Sequence, residues 1–110
     1  MKTKFTATFS NGQTINRNSE HPYAFAWAII SKDGTIHYSG FSEDRVNAAK
    51  GAEIRMPKPL SDRDRKNASA RRYWARMAKA AGVTLEAWIK QIDDRFIAQR
   101  AELRVEIVAL

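Results

Sequence analysis

The chain contains no cysteine, which excludes a disulfide scaffold, thiolate metal sites and a cysteine nucleophile. Histidine is almost as scarce. His21 and His37 are the only imidazoles, and no HxxxH, GxSxG, glycine-rich phosphate loop or paired carboxylates accompany them. Asp62 and Asp64 stand close together, but they open a helical segment, where acids are expected in any case. Long apolar runs are also missing. The longest, residues 23–30 (YAFAWAII), falls far short of the roughly 20 residues a membrane-spanning helix needs. The opening MKTKFTATFSNG has no apolar core of the kind a secretory signal carries. These absences point to a soluble cytoplasmic protein with no catalytic residues, no metal and no cofactor, hence not an enzyme.

What is present is ordinary in bulk. The 110 residues are 44 % hydrophobic and 28 % charged, enough for one small folded domain and too apolar for disorder. Lys and Arg number 19 against 12 Asp and Glu, a formal net charge of +7.

The first half has strand periodicity. Phe5, Ala7 and Phe9 alternate with Lys4, Thr6 and Thr8, the pattern of a half-buried strand. Asn11-Gly12 follows, a strong hairpin signal because both residue types tolerate positive φ, and residues 13–17 return. In residues 23–31, Tyr23, Phe25, Trp27 and Ile29 fall on one side and Ala24, Ala26 and Ala28 on the other. This predicts a central strand covered on both faces, with a helix close against the alanines. A turn at Lys32-Asp33-Gly34 leads to a fourth strand, 35–41, with Ile36 and Tyr38 on one face. Ser42 is then a suitable N-cap for a helix to about Arg55, with Glu43 and Asp44 in its first turn. Pro57 and Pro59 end it.

The second half is helical. Ser61 can cap a helix in which Ala70, Tyr73, Trp74, Met77, Ala78 and Ala81 form an apolar stripe. Gly82 ends that helix and Thr84 caps another bearing Leu85, Trp88, Ile89, Ile92, Phe96, Leu103 and Ile107 on one side. Residues 105–110 also alternate, so periodicity leaves helix and strand both open there. The expected fold is α+β: a four-stranded antiparallel sheet (ββββα) followed by an αα-hairpin. Residues 1–56 would carry the sheet and its helix, and residues 57–110 a basic helical hairpin packed on it as one compact domain.

The charge is concentrated. Residues 55–79 hold Arg55, Lys58, Arg63, Arg65, Lys66, Arg71, Arg72, Arg76 and Lys79 against Asp62 and Asp64, and the flanking stretches are close to balanced. On a single helix, Arg65, Arg72, Arg76 and Lys79 would fall within roughly 60° of one another and span about 21 Å, opposite the apolar stripe. Such a row suits phosphates along a nucleic acid, arginine adding bidentate contacts. A solvated helix face or an acidic protein surface would accept the same row. The candidate binding residues are therefore Arg65, Lys66, Arg71, Arg72, Arg76 and Lys79.

Other signals favour plain structural roles. Residues 77–84 (MAKAAGVT) resemble the turn of a helix-turn-helix unit, with a small residue four positions before Gly82. The following helix is long, however, and Glu86 and Lys90 carry no net charge, so an ordinary αα-hairpin is expected. The aromatics Phe5, Phe9, Tyr23, Phe25, Trp27 and Tyr38 lack the basic surroundings of a base-stacking sheet and are expected in the core, as are Tyr73 and Trp74. A basic helix with a tryptophan also suits an anionic membrane surface, but its apolar face is needed for packing, so no membrane partner is expected. The same apolar stripe, if wider than the sheet covers, would support a homodimer.

The string FTATFSNGQTINRNS, with PYAFAWA, GFS and AAK after it, resembles short proteins encoded by bacteriophages and prophages. The resemblance spans roughly residues 4–52 and brings no catalytic residues. It implies an accessory protein working in the bacterial host cell. One kind binds nucleic acid or a nucleoprotein, here through the basic helix. The alternative is an inhibitor of a host defence complex, anti-CRISPR-like or anti-restriction, seated on an acidic host protein surface.

Overall fold

The computed structural model describes residues 1–110 throughout. Its elements are β1 (Thr3–Thr8), β2 (Thr14–Ser19), β3 (Phe25–Ser31), β4 (Ile36–Ser42), α1 (Arg45–Arg55), α2 (Asp62–Arg65), α3 (Ala68–Ala81), α4 (Leu85–Ala101) and β5 (Leu103–Ala109). They form two compact units, Met1–Met56 with Glu102–Leu110, and Pro57–Ala101.

The first unit is built around β3, whose Ala26, Ala28, Ile29 and Ile30 are inaccessible to solvent. The chain is α+β, but the expected single four-stranded sheet is not formed. β1 pairs only with β2, while β3 lies between β4 and β5 in an antiparallel three-stranded sheet. The reason lies at the C-terminus. Residues 103–109 are a strand, and they take the edge of β3 that a β2–β3 pairing would have required, from Phe25 opposite Ala109 to Ser31 opposite Leu103. The displaced β1–β2 hairpin instead contributes Ala7, Phe9 and Ile15 to a cluster with Ala26, Ala28 and Ile30.

Both faces of β3 are covered, as its composition predicts, but the covering is reversed. The hairpin lies on the alanine face, and α1 lies on the face of Trp27 and Ile29. The large side chains are accommodated because the smallness sits on the helix: Ala48 and Ala52, one turn apart, are fully buried against them. Two glycines complete the fit. Gly40, directly opposite Trp27 on β4, has the indole where its own Cβ would stand, 2.8 Å from the ring. Gly51 of α1 would bring a Cβ within 3.2 Å of the same ring.

Several boundaries shift for local reasons. The hairpin at Asn11-Gly12 is not a two-residue turn. Phe9 N donates to Gln13 O (3.0 Å) and Gly12 N to Phe9 O (2.9 Å), and only Gly12 has positive φ. This is a three-residue loop whose glycine takes the left-handed position. Ser31, Gly34 and Thr35 repeat the arrangement. In β4 a bulge pairs Ile30 with Ile36 but Ile29 with Tyr38, so Ile36 and Tyr38 point to opposite faces. Ile36 joins the hairpin cluster, and Tyr38 lies under the Arg55 guanidinium at 5.6 Å. Tyr23 likewise leaves the Phe25 face and packs edge-on against Phe5 at 5.3 Å. The N-cap of α1 is Asp44, which accepts from Asn47 N at 2.7 Å; Ser42 still belongs to β4.

β5 is also tied to the hairpin loop by polar contacts. Glu106 accepts from the Ser10 amide (2.6 Å) and hydroxyl (2.5 Å). The Ser10 hydroxyl, with smaller help from the Ser10 amide and Arg104, holds the Glu106 carboxyl below its ordinary value of 4.5 against the opposing effect of burial. The contribution to stability is therefore present above the unfolded-state pKa and disappears as pH falls through the folded one.

Three outcomes are expected. Gly40→Ala lowers stability by about 1–3 kcal/mol through overpacking against Trp27. Gly51→Ala stays close to the parent, because a gain in helix propensity of about 1 kcal/mol offsets milder crowding; urea unfolding followed by circular dichroism compares them. Glu106→Gln is less stable than the parent at neutral pH, and the gap closes as urea midpoints are followed into acid below pH 4.5.

Candidate functional site

Residues 57–79 do not form one basic helix. Ser61 caps the short α2, accepting from Asp64 N at 3.1 Å, and the chain breaks at Lys66-Asn67. Asn67 then caps α3, accepting from Ala70 N at 2.9 Å. Arg65 therefore stands on α2, apart from the arginines of α3. At the other end, Gly82 takes φ +73°, and Val83 N donates back to Ala78 O at 3.0 Å. Thr84 caps α4 through Ala87 N at 3.1 Å.

Five of the six candidate residues divide into two sets. Arg65 and Arg71 are held within the fold. Arg65 donates to Asp93 through Nη2 and to Leu60 O through Nε at 3.2 Å. The second Asp93 oxygen accepts from Leu60 N at 2.8 Å. Arg71 donates to Arg65 O at 2.9 Å. One α4 carboxylate thus fixes the connector 60–65 to the helical pair, and Arg71 fastens α3 to the same point. Together with Glu86, Ile89 and Lys90 these residues line a groove of about 310 Å³.

Arg72, Arg76 and Lys79 form the other set, exposed on α3. Their directions lie within about 60° of one another, and their backbone positions span about 10.5 Å of helix axis. Arg72 donates to Ser69 Oγ at 3.3 Å; Arg76 and Lys79 have no acidic partner. Lys66 is exposed at the end of α2. No acid occurs between Asp64 and Glu86, so α3 has nothing at helical spacing to neutralise this face. Of the α4 acids, Asp93 is paired with Arg65 and Asp94 with Lys90 at 3.0 Å, while Glu86 lines the groove of Arg65 and Arg71.

The apolar stripe expected on α3 is only partly covered. Ala78 is buried and Trp74 half-buried, but Tyr73 is 54 % exposed and Met77 37 %. A depression of about 550 Å³ is lined by Ser69, Arg72, Tyr73, Ala75 and Arg76. Tyr73 therefore belongs to the border of the basic face rather than to a core. Asp93 is the residue that sequence reasoning missed. Its signal was an acid four positions after Ile89, on the packed side of an amphipathic helix, where an ionised group needs a partner.

No three acidic or imidazole side chains stand close enough together to hold a metal ion, and no helix is long and apolar enough to cross a membrane. No protein family, curated protein or solved structure matches this chain.

Asp93→Ala removes the acceptor for both Leu60 N and Arg65 and is expected to lower stability by about 1–3 kcal/mol. Arg76→Ala, on the exposed face, should stay within about 0.5 kcal/mol of the parent. Thermal unfolding of the full chain, followed by helical circular dichroism, distinguishes the two.

Proposed function

We propose that the chain is a non-enzymatic binding protein that engages nucleic acid, free or within a nucleoprotein, through Arg72, Arg76 and Lys79 of α3, with exposed Lys66 at the end of α2 as a further cation. The observation that supports this reading is the acid-free run from Arg65 to Lys79, whose exposed cations on α3 are not neutralised by the fold. Cations left unpaired on one face repel one another, and a polyanion relieves that repulsion while releasing its own counterions. Arg65 and Arg71 serve the reading indirectly, by fixing α3 to its neighbours, so charge reversal there acts through folding.

A second reading draws on Tyr73 and Met77, exposed beside the arginines. Arginine, tyrosine and methionine are enriched at the centres of protein interfaces, and an acidic host protein would meet the same face. In the phage-like setting implied by residues 4–52, such a partner would be a host defence complex, and co-purification with it would survive nuclease treatment.

For nucleic acid, three to four phosphate contacts predict that log K falls with log[salt] at a slope of about −3. Gel-shift titrations at increasing salt check the slope. Arg72→Glu with Arg76→Glu should abolish the shift while leaving the circular dichroism spectrum intact. Binding that is indifferent to both salt and this double substitution overturns the reading.

A further inference from the structure

The three tyrosines are treated differently by the fold. Tyr23 is stacked among Phe5, Phe41 and Arg17, and Tyr38 lies under Arg55. Tyr73 has neither an aromatic nor a cationic partner and is 54 % exposed. Helical geometry sets it about 60° from Arg76 and about 100° from Arg72, and all three line the depression on α3. Ser69 and Met77 flank it one turn away on either side. An unstacked ring bordered by two arginines supplies the two elements that hold an unpaired nucleotide: a π face for the base and guanidinium groups for its phosphates. A duplex cannot use the first element well, because its bases are stacked on each other and present only their edges.

We propose that Tyr73 is a base-stacking platform and that the α3 face is therefore selective for single-stranded nucleic acid, Arg72 and Arg76 holding the phosphates on either side of the stacked base. This deepens the reading of α3 as a phosphate-binding face and rests on it. Stacking uses the ring face and not the hydroxyl, so phenylalanine or tryptophan at position 73 preserves the site and alanine removes it.

The test is a fluorescence-anisotropy titration of the full chain with a labelled oligothymidylate and with a labelled duplex of the same length, at low salt. The oligothymidylate should bind more tightly than the duplex. Tyr73→Ala should weaken the single strand about 5- to 100-fold, with duplex binding and the salt slope nearly unchanged. Tyr73→Phe and Tyr73→Trp should bind like the parent, whereas Arg76→Glu weakens both probes. Because the ring is mostly exposed, Tyr73→Ala should melt close to the parent, which a thermal scan verifies. If Tyr73→Ala leaves the oligothymidylate affinity unchanged while Arg76→Glu reduces it, stacking is refuted and the phosphate-binding reading stands. If neither probe binds at low salt, both fall, and the face is left to an acidic protein.

Discussion

The first unit depends on the seating of one indole. Trp27 occupies the middle of a strand with both faces covered, and its ring fills space that Gly40 and Gly51 leave empty. On the β4 side the indole leaves no room for a Cβ at Gly40, and on the helix side it leaves only a crowded one at Gly51, so the backbone of both elements comes close to the ring. Once α1 rests on Trp27 through Gly51, Ala48 and Ala52 fall naturally over Ile29 and the rest of that face. The opposite face, small at Ala26 and Ala28, then accepts Ala7 and Phe9 of the hairpin. Small residues and large ones thus meet across each interface. Interiors packed to crystal-like density tolerate no other arrangement at such close spacing.

That complementarity marks where the sequence was legible. Alternation located β1 to β4, and Gly82 and Thr84 act as local chemistry predicts, whereas Ser61 caps only the short α2 and the striped helix starts instead at Asn67. The pairing order was not legible, because periodicity tells which face a residue takes and not which neighbour its strand meets. The choice between β2 and β5 as partner of β3 is a long-range one, decided by residues 103–109, where alternation was compatible with either structure. Gly51 shows the same limit. Considered within its helix it is a weakness of about 1 kcal/mol, and its value lies in an indole more than twenty positions earlier in the chain. The bulge at Ile29 and Ile30 is subtler still: one extra residue in β4 sends Ile36 and Tyr38 to opposite faces, and no pattern within β4 announces it.

The helical unit follows a different economy. Its buried residues are few, Ala78, Ile89 and Asp93, and one of them is ionic. A carboxylate placed there is stable only with its acceptor positions filled, and it receives the Leu60 amide and the Arg65 guanidinium. The connector 60–65 is thereby anchored by hydrogen bonds rather than by apolar area. This also divides the basic residues. A uniform row in sequence becomes two populations, one consumed in holding the helices together and one left in solvent. Charge counting locates the row but cannot separate the two, since the separation depends on an acid on α4, 28 positions beyond Arg65.

The division bears on the proposed α3 binding face. A helix meant only to be solvated gains from alternating charge, since acids at i±4 lower the repulsion among its bases. α3 has none, although α4 carries such a pair in Lys90 and Asp94, so the chemistry was accessible to the chain and is absent where it would have been most useful. The same helix leaves a tyrosine uncovered beside those bases, while the other two tyrosines are each given an aromatic or cationic neighbour. Unneutralised charge and an unstacked ring each weigh modestly against the free protein. Their coincidence on one face underlies the proposed binding surface, because the groups left unsatisfied in the free state are those a partner could satisfy.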